Sequence, residues 1–142
     1  MQQIWKPVEI GDNMVIKYSL KRDGNKILSD HFKVKEFACK DGSDEIYIDS
    51  DLVSKLELLR SYVECPITIT SGYRTAAYNK KVGGADNSYH VKGMAADITC
   101  KKFNPAEIGL CAAALGFKGV IIYRNRFTHV DTREGRYFNE QG

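Results

Sequence analysis

The chain has 142 residues, 43% of them hydrophobic and 27% charged, a balance typical of one globular domain with an ordinary core. The net charge of +3 is small and the basic residues are scattered, which argues against a nucleic-acid-binding protein but would suit an anionic polymer. Because no run of about 18 apolar residues and no signal-peptide core is present, we expect no membrane insertion and synthesis in the cytoplasm without a signal peptide.

The N-terminal residues 1–27 are predicted to form an arm or a peripheral strand, and residues 28–142 to form one domain, since no linker or repeat divides them. The first strong signal is a helix over 49–63, where apolar residues recur at near-helical spacing. Asp49, Ser50 or Asp51 can cap its start. This pattern predicts a helix that packs on the core.

Strands and helices then alternate along the rest of the chain. "CPITIT" predicts a strand, "AAYNKKV" a short helix, "GGADNSYH" a loop and "GMAADITC" a buried strand. A helix begins at Pro105 and ends near Gly116, and "GVIIY" and "RFTHVDT" predict two strands joined by the "YRNR" turn. The order favours an α+β domain, with a mainly antiparallel sheet and helices packed on one face.

The four cysteines are far apart in sequence and include no CxxC pair, which argues against a zinc ribbon or a thioredoxin-type redox motif. They are Cys39, Cys65, Cys100 and Cys111. Because free cysteine is among the most buried residue types, we expect buried free thiols.

Three ligand-type residues lie on segments that a sheet can bring together: His90 at the end of the polar loop, Asp97 in a strand and His129 on the hairpin. Two imidazoles and one carboxylate leave a fourth tetrahedral position open, as a catalytic zinc ion requires to activate water. Taken singly, each residue could instead be an ordinary hydrogen-bonding side chain. His31 has no such context and is interpreted as structural.

The stretch "SGYRTAAYNKKVGGADNSYHVKGMAADI", followed by "IIYRNRFTHVDTR", resembles the zinc D-Ala-D-Ala carboxypeptidase family. This family includes L-alanyl-D-glutamate endopeptidases of phage lysins and shares its metal fold with lysostaphin-type peptidases and hedgehog domains. Its signature is an SGYR turn, then SxHxxGxAxD, then a last histidine on a strand, and all three occur here in order. The resemblance covers roughly residues 28–138, and "LSDHFKVKEFACKDG" is similar to a branch found in phages and prophages of Gram-positive bacteria.

The resemblance implies one Zn²⁺ ion held by His90, Asp97 and His129. It also implies that Arg74, in "SGYR", contacts the scissile carbonyl or a substrate carboxylate, where a fixed guanidinium can stabilise an oxyanion. A surface ion pair is the alternative for Arg74. We further expect Ser88 to support the loop at the substrate site. Tyr123 is expected to line the pocket or donate to the oxyanion, or merely to pack across strands.

One position departs from the family pattern, since many members have an acid three residues before the last histidine and this chain has Arg126. The nearest candidate base is Asp131, because side chains two apart on a strand share a face and Asp131 then lies beside His129. A carboxylate there could act as base and then as acid. Alternatively, Asp131 orients a ligand or pairs with Arg133 or Arg124.

The resemblance implies an endolysin-like zinc metallopeptidase that cuts amide bonds involving D-amino acids in peptidoglycan stem peptides. Carboxypeptidase and endopeptidase activities both stay open at this point, since Arg74, Arg124, Arg126 and Arg133 permit either. We expect a monomer that reaches the wall by phage or prophage lysis or on a tail, and otherwise acts in the cytoplasm. A non-catalytic zinc-containing wall-binding module of the same fold is the alternative.

Overall fold

The computed structural model describes residues 14–141, which form an α+β domain. The strands are β1 (Val15–Ser19), β2 (Ile27–Ser29), β3 (Phe32–Lys33), β4 (Glu45–Asp49), β5 (Ile67–Ser71), β6 (Ala95–Cys100), β7 (Gly119–Tyr123), β8 (Phe127–Asp131) and β9 (Tyr137–Gln141). The helices are α1 (Leu20–Asp23), α2 (Ser50–Val63), α3 (Ala76–Lys81) and α4 (Pro105–Ala114), and a 3-10 turn covers Val34–Phe37. The predicted α+β class is confirmed.

The main sheet has five strands in the order β5-β6-β8-β7-β9. Its first four strands are antiparallel to their neighbours, and β9 runs parallel to β7. The register places Asp97 opposite His129, and His129 opposite Ile121. Side chains that face each other across paired strands lie on the same side of a sheet, so Asp97 and His129 are brought side by side.

One face of this sheet builds the hydrophobic core, because alternate side chains along a strand point to opposite faces. The core residues that the central strands contribute are Ala96, Ile98, Val120, Ile122 and Val130. Against them lie buried residues of the helices: Leu52, Leu56 and Leu59 of α2, and Ile108 and Ala112 of α4. Asp97 and His129, which alternate with these core positions, therefore lie on the opposite face.

The elements predicted from 49 onward agree with the structure to within a few residues. Helix α2 is capped by Asp49, whose side chain accepts a hydrogen bond from the backbone N–H of Asp51 at 3.2 Å. Helix α4 begins at Pro105 and is capped by Asn104, and β7 and β8 form the predicted hairpin. The β2–β3 hairpin, the pairing of β1 with β4, and β9 were not predicted.

The predicted N-terminal arm falls partly outside the described residues, since 1–13 lie beyond them. Within 14–27, β1 pairs antiparallel with β4, with Val15 opposite Asp49. The proposed boundary between 27 and 28 stays a prediction. No helix in the described part of the chain combines the length and the apolar character that a membrane span requires.

The prediction of four free thiols is wrong for two of the cysteines, because Cys65 and Cys100 form a disulfide. The pairing of β5 with β6 places Cys100 opposite Ile67, two residues beyond Cys65. Sequence spacing alone does not reveal this register. Cys39 is a buried free thiol, and Cys111 is a partly exposed one.

Candidate metal centre

Three side chains converge on the face of the sheet that points away from the core: His90 from the loop over 82–94, Asp97 of β6 and His129 of β8. Their ligand atoms all lie within 4.8 Å of one another, and all three residues are buried. The Oδ1 atom of Asp97 is 3.2 Å from Nε2 of His90 and 3.1 Å from Nδ1 of His129. These three atoms could hold one metal ion.

The second nitrogen of each histidine lies within hydrogen-bond distance of an acceptor. The Nδ1 atom of His90 lies 2.8 Å from the carbonyl oxygen of Gly72, which can only accept, so Nδ1 donates and Nε2 keeps its lone pair. The Nε2 atom of His129 lies 2.7 Å from Oδ2 of Asp131, so a proton on Nε2 would leave the Nδ1 lone pair toward Asp97. Metal-binding histidines are held in this way, and two nitrogens with one oxygen suit zinc.

The carboxylate of Asp97 carries the charge that a metal site requires. Burial alone would raise the pKa of Asp97, but its close contacts with the His129 and His90 rings outweigh burial and hold the pKa well below its usual range. Burial lowers the pKa of His129, whereas the carboxylates of Asp131 and Asp97 raise it by more, so the net pKa lies above its usual range. Asp97 is therefore an anion at neutral pH, as a metal ligand must be.

Asp131 lies behind His129 rather than in front of the three ligand atoms. Its side chain is fully buried and also accepts two hydrogen bonds from Arg133, at 2.8 Å from Nε and 2.7 Å from Nη2. Burial raises the pKa of Asp131, but the hydrogen bonds from His129 and Arg133 lower it to about 2. The geometry favours the alternative in which Asp131 orients a ligand and pairs with Arg133.

Arg74 lies beside the carboxylate of Asp97 and is not a surface ion pair, since only 15% of its side chain is exposed. Its Nη2 atom is 3.4 Å from Oδ2 of Asp97. The Nε atom donates to Oγ of Ser71 at 3.1 Å, and Nη1 donates to Oδ1 of the buried Asn79 at 3.0 Å. The guanidinium is therefore fixed next to the metal group, as the sequence pattern predicts.

A sequence model described as Peptidase M15 matches residues 30–131, which is more than half of the chain. The chain belongs to the peptidase M15 family. It is also similar to a zinc D-Ala-D-Ala carboxypeptidase of Streptomyces albus G, with 32% identity over 90 residues. The alignment covers 60% of this chain, which spans 35% of the length of that relative. The resemblance inferred from the motifs is confirmed at the level of the family, and the phage branch stays a prediction.

His90, Asp97 and His129 line a cleft of about 530 Å³. The predicted substrate residues Ser88 and Tyr123 both line it, together with Arg74. The Oγ atom of Ser88 accepts a hydrogen bond from the backbone N–H of His90 at 3.1 Å, so this serine also shapes the ligand loop. Tyr123 is half-buried, and its ring centre lies 4.6 Å from that of Phe127. Arg74, Ser88 and Tyr123 thus line the same cleft as the three metal-type residues, whereas Asp131 does not line it.

The position where many M15 members have an acid is occupied by Arg126, which lines the cleft and is exposed. Its guanidinium lies 5.8 Å from the ring centre of Tyr123 and 5.2 Å from that of Phe127. Within residues 14–141, Asp97 is the one carboxylate that lines the cleft. Arg124, in contrast, is outside the cleft and pairs with Glu140 of β9.

Two further residues, Gly93 and His31, lie outside the lining of the cleft. Gly93 has φ +78°, and a Cβ atom there would meet the backbone oxygen of Tyr47 at 2.5 Å, so only glycine allows this close approach of two backbone segments. His31 contacts Glu57 of α2 and belongs to no part of the cleft, which agrees with its structural interpretation.

Sequence reasoning missed the residues that surround Arg133. The rings of Tyr89 and Tyr137 lie on its guanidinium, with ring centres at 4.7 Å and 4.8 Å. Tyr137 carries no recognisable signal because it lies on β9, a mostly exposed strand without a clear alternation. Its position beside the cleft depends on the parallel pairing of β9 with β7, for which the sequence carries no local signal.

Proposed function

We propose that the chain is a zinc-dependent peptidase that hydrolyses amide bonds involving D-amino acids in peptidoglycan stem peptides. The observation that carries the proposal is the metal group itself: two histidines, each with an acceptor at its second nitrogen, and one carboxylate meet in an open cleft. Membership of the peptidase M15 family and similarity to a zinc D-Ala-D-Ala carboxypeptidase support it.

One zinc ion is the proposed cofactor, with Nε2 of His90, Oδ1 of Asp97 and Nδ1 of His129 as its ligands. Three protein ligands leave a coordination position for the reaction, which distinguishes a catalytic site from a closed structural one. When bound, zinc supplies Lewis-acid chemistry, polarising the scissile carbonyl and lowering the pKa of a water molecule. The cleft gives a peptide direct access to these ligands.

Arg74 is proposed to stabilise the negative charge that develops on the scissile carbonyl oxygen. Its guanidinium is already oriented by Ser71 and Asn79, so little reorganisation is needed when charge develops. A planar guanidinium presents several donors, and those not used by Ser71 and Asn79 can reach a carbonyl or carboxylate oxygen of the substrate.

Ser88 and Tyr123 are proposed to contact the substrate on either side of the metal group. Ser88 lies on the ligand loop, and its hydroxyl can donate to a peptide carbonyl while accepting from His90. Tyr123 offers a phenolic hydroxyl and an apolar ring at the cleft wall. Burial raises the pKa of Tyr123, so its hydroxyl is a donor at neutral pH.

For the proton transfers, the sequence suggests Asp131 as the base, whereas its contacts suggest that it orients His129. A fully buried carboxylate that already accepts from His129 and three times from Arg133 has no free path to a water molecule in the cleft. We therefore propose the orienting role. The two roles predict different effects of substitution, which are given in the Discussion.

The charge of the cleft supports a substrate that bears carboxylates. Three arginines, Arg74, Arg126 and Arg133, line the cleft, against the single carboxylate of Asp97. Arg74 and Arg133 are held by other side chains, which leaves Arg126 as the cation most available to a free substrate carboxylate. This balance favours a carboxypeptidase over an endopeptidase, in line with the name of the relative.

A non-catalytic zinc-containing wall-binding module is the second candidate. The observation in its favour is that the described residues place no carboxylate in the cleft apart from Asp97, with Arg126 where many M15 members have the base. Such a module would bind the metal and the wall polymer and cut no bond.

The proposed setting follows from the substrate. Peptidoglycan lies outside the cytoplasm, so a chain made inside would meet it after release, by phage or prophage lysis or on a phage tail, and would otherwise act on precursor peptides. We propose that it acts as a monomer, because the cleft and all three ligands belong to one chain.

The test is hydrolysis of synthetic stem peptides, with free and with amidated C-termini, by protein of measured zinc content. We expect wild type to release D-alanine from the free peptides, with products identified by mass spectrometry. His90→Ala should abolish both zinc binding and hydrolysis, whereas His31→Ala, which changes a histidine outside the cleft, should preserve both.

Three outcomes separate the candidates. Release of D-alanine from free peptides alone supports a carboxypeptidase, and cleavage of both free and amidated peptides supports an endopeptidase. Stoichiometric zinc with no cleavage of any peptide, together with binding to intact sacculi, would favour the binding module and refute the peptidase.

A further inference from the structure

Arg133 makes a two-pronged ion pair with Asp131 next to the metal group. Its Nε and Nη2 atoms lie 2.8 Å and 2.7 Å from the two carboxylate oxygens of Asp131, and its backbone N–H donates to the same carboxylate at 3.1 Å. Two parallel hydrogen bonds from one guanidinium fix the plane of a carboxylate as well as its position. The orientation of Asp131 is therefore set by Arg133.

The guanidinium of Arg133 is itself held between two aromatic rings. Its central carbon lies 4.7 Å from the ring centre of Tyr89 and 4.8 Å from that of Tyr137. A planar, weakly hydrated guanidinium stacks well on aromatic faces, whereas a lysine ammonium offers neither the plane nor the fork. Tyr89 and Tyr137 thus restrict the movement of Arg133, and Arg133 in turn restricts Asp131.

These contacts connect three separate segments of the chain. Tyr89 directly precedes the ligand His90, Asp131 accepts from the ligand His129, and Tyr137 belongs to β9. The backbone of β7 closes the other side, because a Cβ atom at Gly119 would meet Oδ1 of Asp131 at 2.0 Å. The carboxylate of Asp131 is confined between Gly119 and Arg133 and has little room to turn.

We infer that Arg133 is a positioning residue of the metal centre and that Tyr137 of β9 acts through it. By holding Asp131, Arg133 fixes the His129 ring with its Nδ1 lone pair toward the metal position. Both Arg133 and Tyr137 lie beyond the part of the chain that the family model matches, which ends at 131. The metal centre of this chain therefore extends into β9. The inference rests on the proposed zinc site but not on catalysis.

The experiment measures zinc affinity of the full chain by competition with a chromophoric chelator. We expect Arg133→Lys and Arg133→Gln to weaken zinc binding by about 10–100-fold, the usual effect of losing a group that orients a metal ligand. Tyr137→Leu should also weaken zinc binding, by roughly threefold to tenfold, because Tyr137 acts on Asp131 only through Arg133. Tyr137→Phe keeps the ring and should bind zinc as wild type does.

A matched control and a second readout separate positioning from general damage. Arg136→Gln changes a neighbouring exposed arginine and should leave zinc affinity unchanged. The unfolding midpoints of the metal-free proteins report folding independently of the metal. The visible spectrum of the cobalt(II) form, at saturating cobalt, should change in Arg133→Lys because the His129 ligand is no longer held in one orientation.

The outcomes are distinct from those of the hydrolysis test. Zinc affinities equal to wild type in folded Arg133→Lys and Tyr137→Leu would overturn the inference. If Arg133→Gln fails to fold, the zinc affinity of Tyr137→Leu tests the inference instead. Tyr137 is 43% exposed, so its replacement leaves the core unchanged. Wild-type protein that binds no zinc would overturn this inference and the proposed function together. Weakened zinc binding in the variants of a protein that cuts no peptide would support the inference alone.

Discussion

The Nε2 atom of His129 lies 2.7 Å from the Oδ2 atom of Asp131, while Nδ1 of the same ring lies 3.1 Å from Oδ1 of Asp97. The imidazole therefore has a carboxylate at each nitrogen, one in the cleft and one buried behind it. Only the carboxylate in the cleft can share a metal ion with His90. The buried carboxylate is well placed to hold the ring and poorly placed to take a proton from a water molecule.

The first prediction separates these two roles of Asp131. We expect Asp131→Ala to weaken zinc binding by about 10–100-fold because His129 loses its anchor, and Asp131→Asn to weaken it less because an amide oxygen still accepts from Nε2. At saturating zinc, kcat should largely recover. The measurements are zinc titration by chelator competition and kcat for a D-Ala-D-Ala peptide at increasing zinc.

A general base would give the opposite result. If Asp131 takes the proton, Asp131→Asn and Asp131→Ala should retain zinc and lose kcat by about 10²–10⁴-fold even at saturating zinc. That outcome would restore the catalytic role that the sequence suggests.

The second prediction uses Gly119, whose missing side chain makes room for the carboxylate of Asp131. A Cβ atom there would meet Oδ1 at 2.0 Å, so Gly119→Ala should displace Asp131 and weaken zinc binding while removing no polar group. Gly109→Ala is the matched control, because its Cβ would meet Cγ1 of Ile122 at 2.6 Å on the core face. Overpacking should cost each variant about 1–3 kcal/mol of unfolding free energy, partly offset in helix α4 by the higher helix propensity of alanine.

Zinc affinity distinguishes the two glycine variants, and denaturant unfolding of the metal-free proteins compares their stability. We expect Gly119→Ala alone to lose zinc affinity. Equal zinc affinities in the two variants would show that Asp131 can shift without disturbing His129.

The metal group could be predicted from sequence because its motifs, taken in order, resemble those of a known family. His90 and Asp97 belong to one compact motif, and His129 lies on a strand whose alternation is clear. The contribution of β9 could not be predicted in this way. Tyr137 reaches Arg133 only because β9 pairs with β7 in parallel, and a mostly exposed strand lacks the alternation that reveals half-buried strands.

The disulfide illustrates the same limit. Cys65 and Cys100 are 35 residues apart, and neither belongs to a spacing motif. Their proximity depends on the register of β5 against β6, a tertiary property that the general preference of free cysteine for burial does not contain. Local patterns therefore predicted the elements correctly and the pairing of cysteines wrongly.

The third prediction concerns this disulfide. Closing a loop of this length should stabilise the fold by about 3–4 kcal/mol through the entropy of the unfolded chain, so the Cys65→Ala/Cys100→Ala double variant should unfold at lower denaturant. Zinc affinity should stay within about twofold, because α2, α4 and the hydrogen-bonded sheet still hold β6 in place. Cys39→Ala/Cys111→Ala, which removes the two free thiols, is the control for loss of sulfur alone. A large loss of zinc affinity in the disulfide variant alone would instead place the bond among the supports of Asp97.

The fourth prediction concerns Arg126, an exposed cation at the wall of the cleft. The structure gives it aromatic neighbours, Tyr123 and Phe127, and no carboxylate partner among residues 14–141. A substrate carboxylate would meet an unpaired guanidinium there. Because the site is exposed, we expect a contribution of about 1 kcal/mol, which corresponds to roughly a fivefold change in kcat/KM.

Arg126→Gln should therefore raise KM for stem peptides with a free C-terminus and leave amidated peptides nearly unchanged. Arg124→Gln is the matched control, since Arg124 pairs with Glu140 outside the cleft and should not affect either peptide. The effect should fade at high salt, because attraction between exposed charges is screened. Equal effects of Arg126→Gln on free and amidated peptides would mean that Arg126 does not bind the terminal carboxylate. Among the cleft arginines, Arg74 would then be the one left to support a carboxypeptidase.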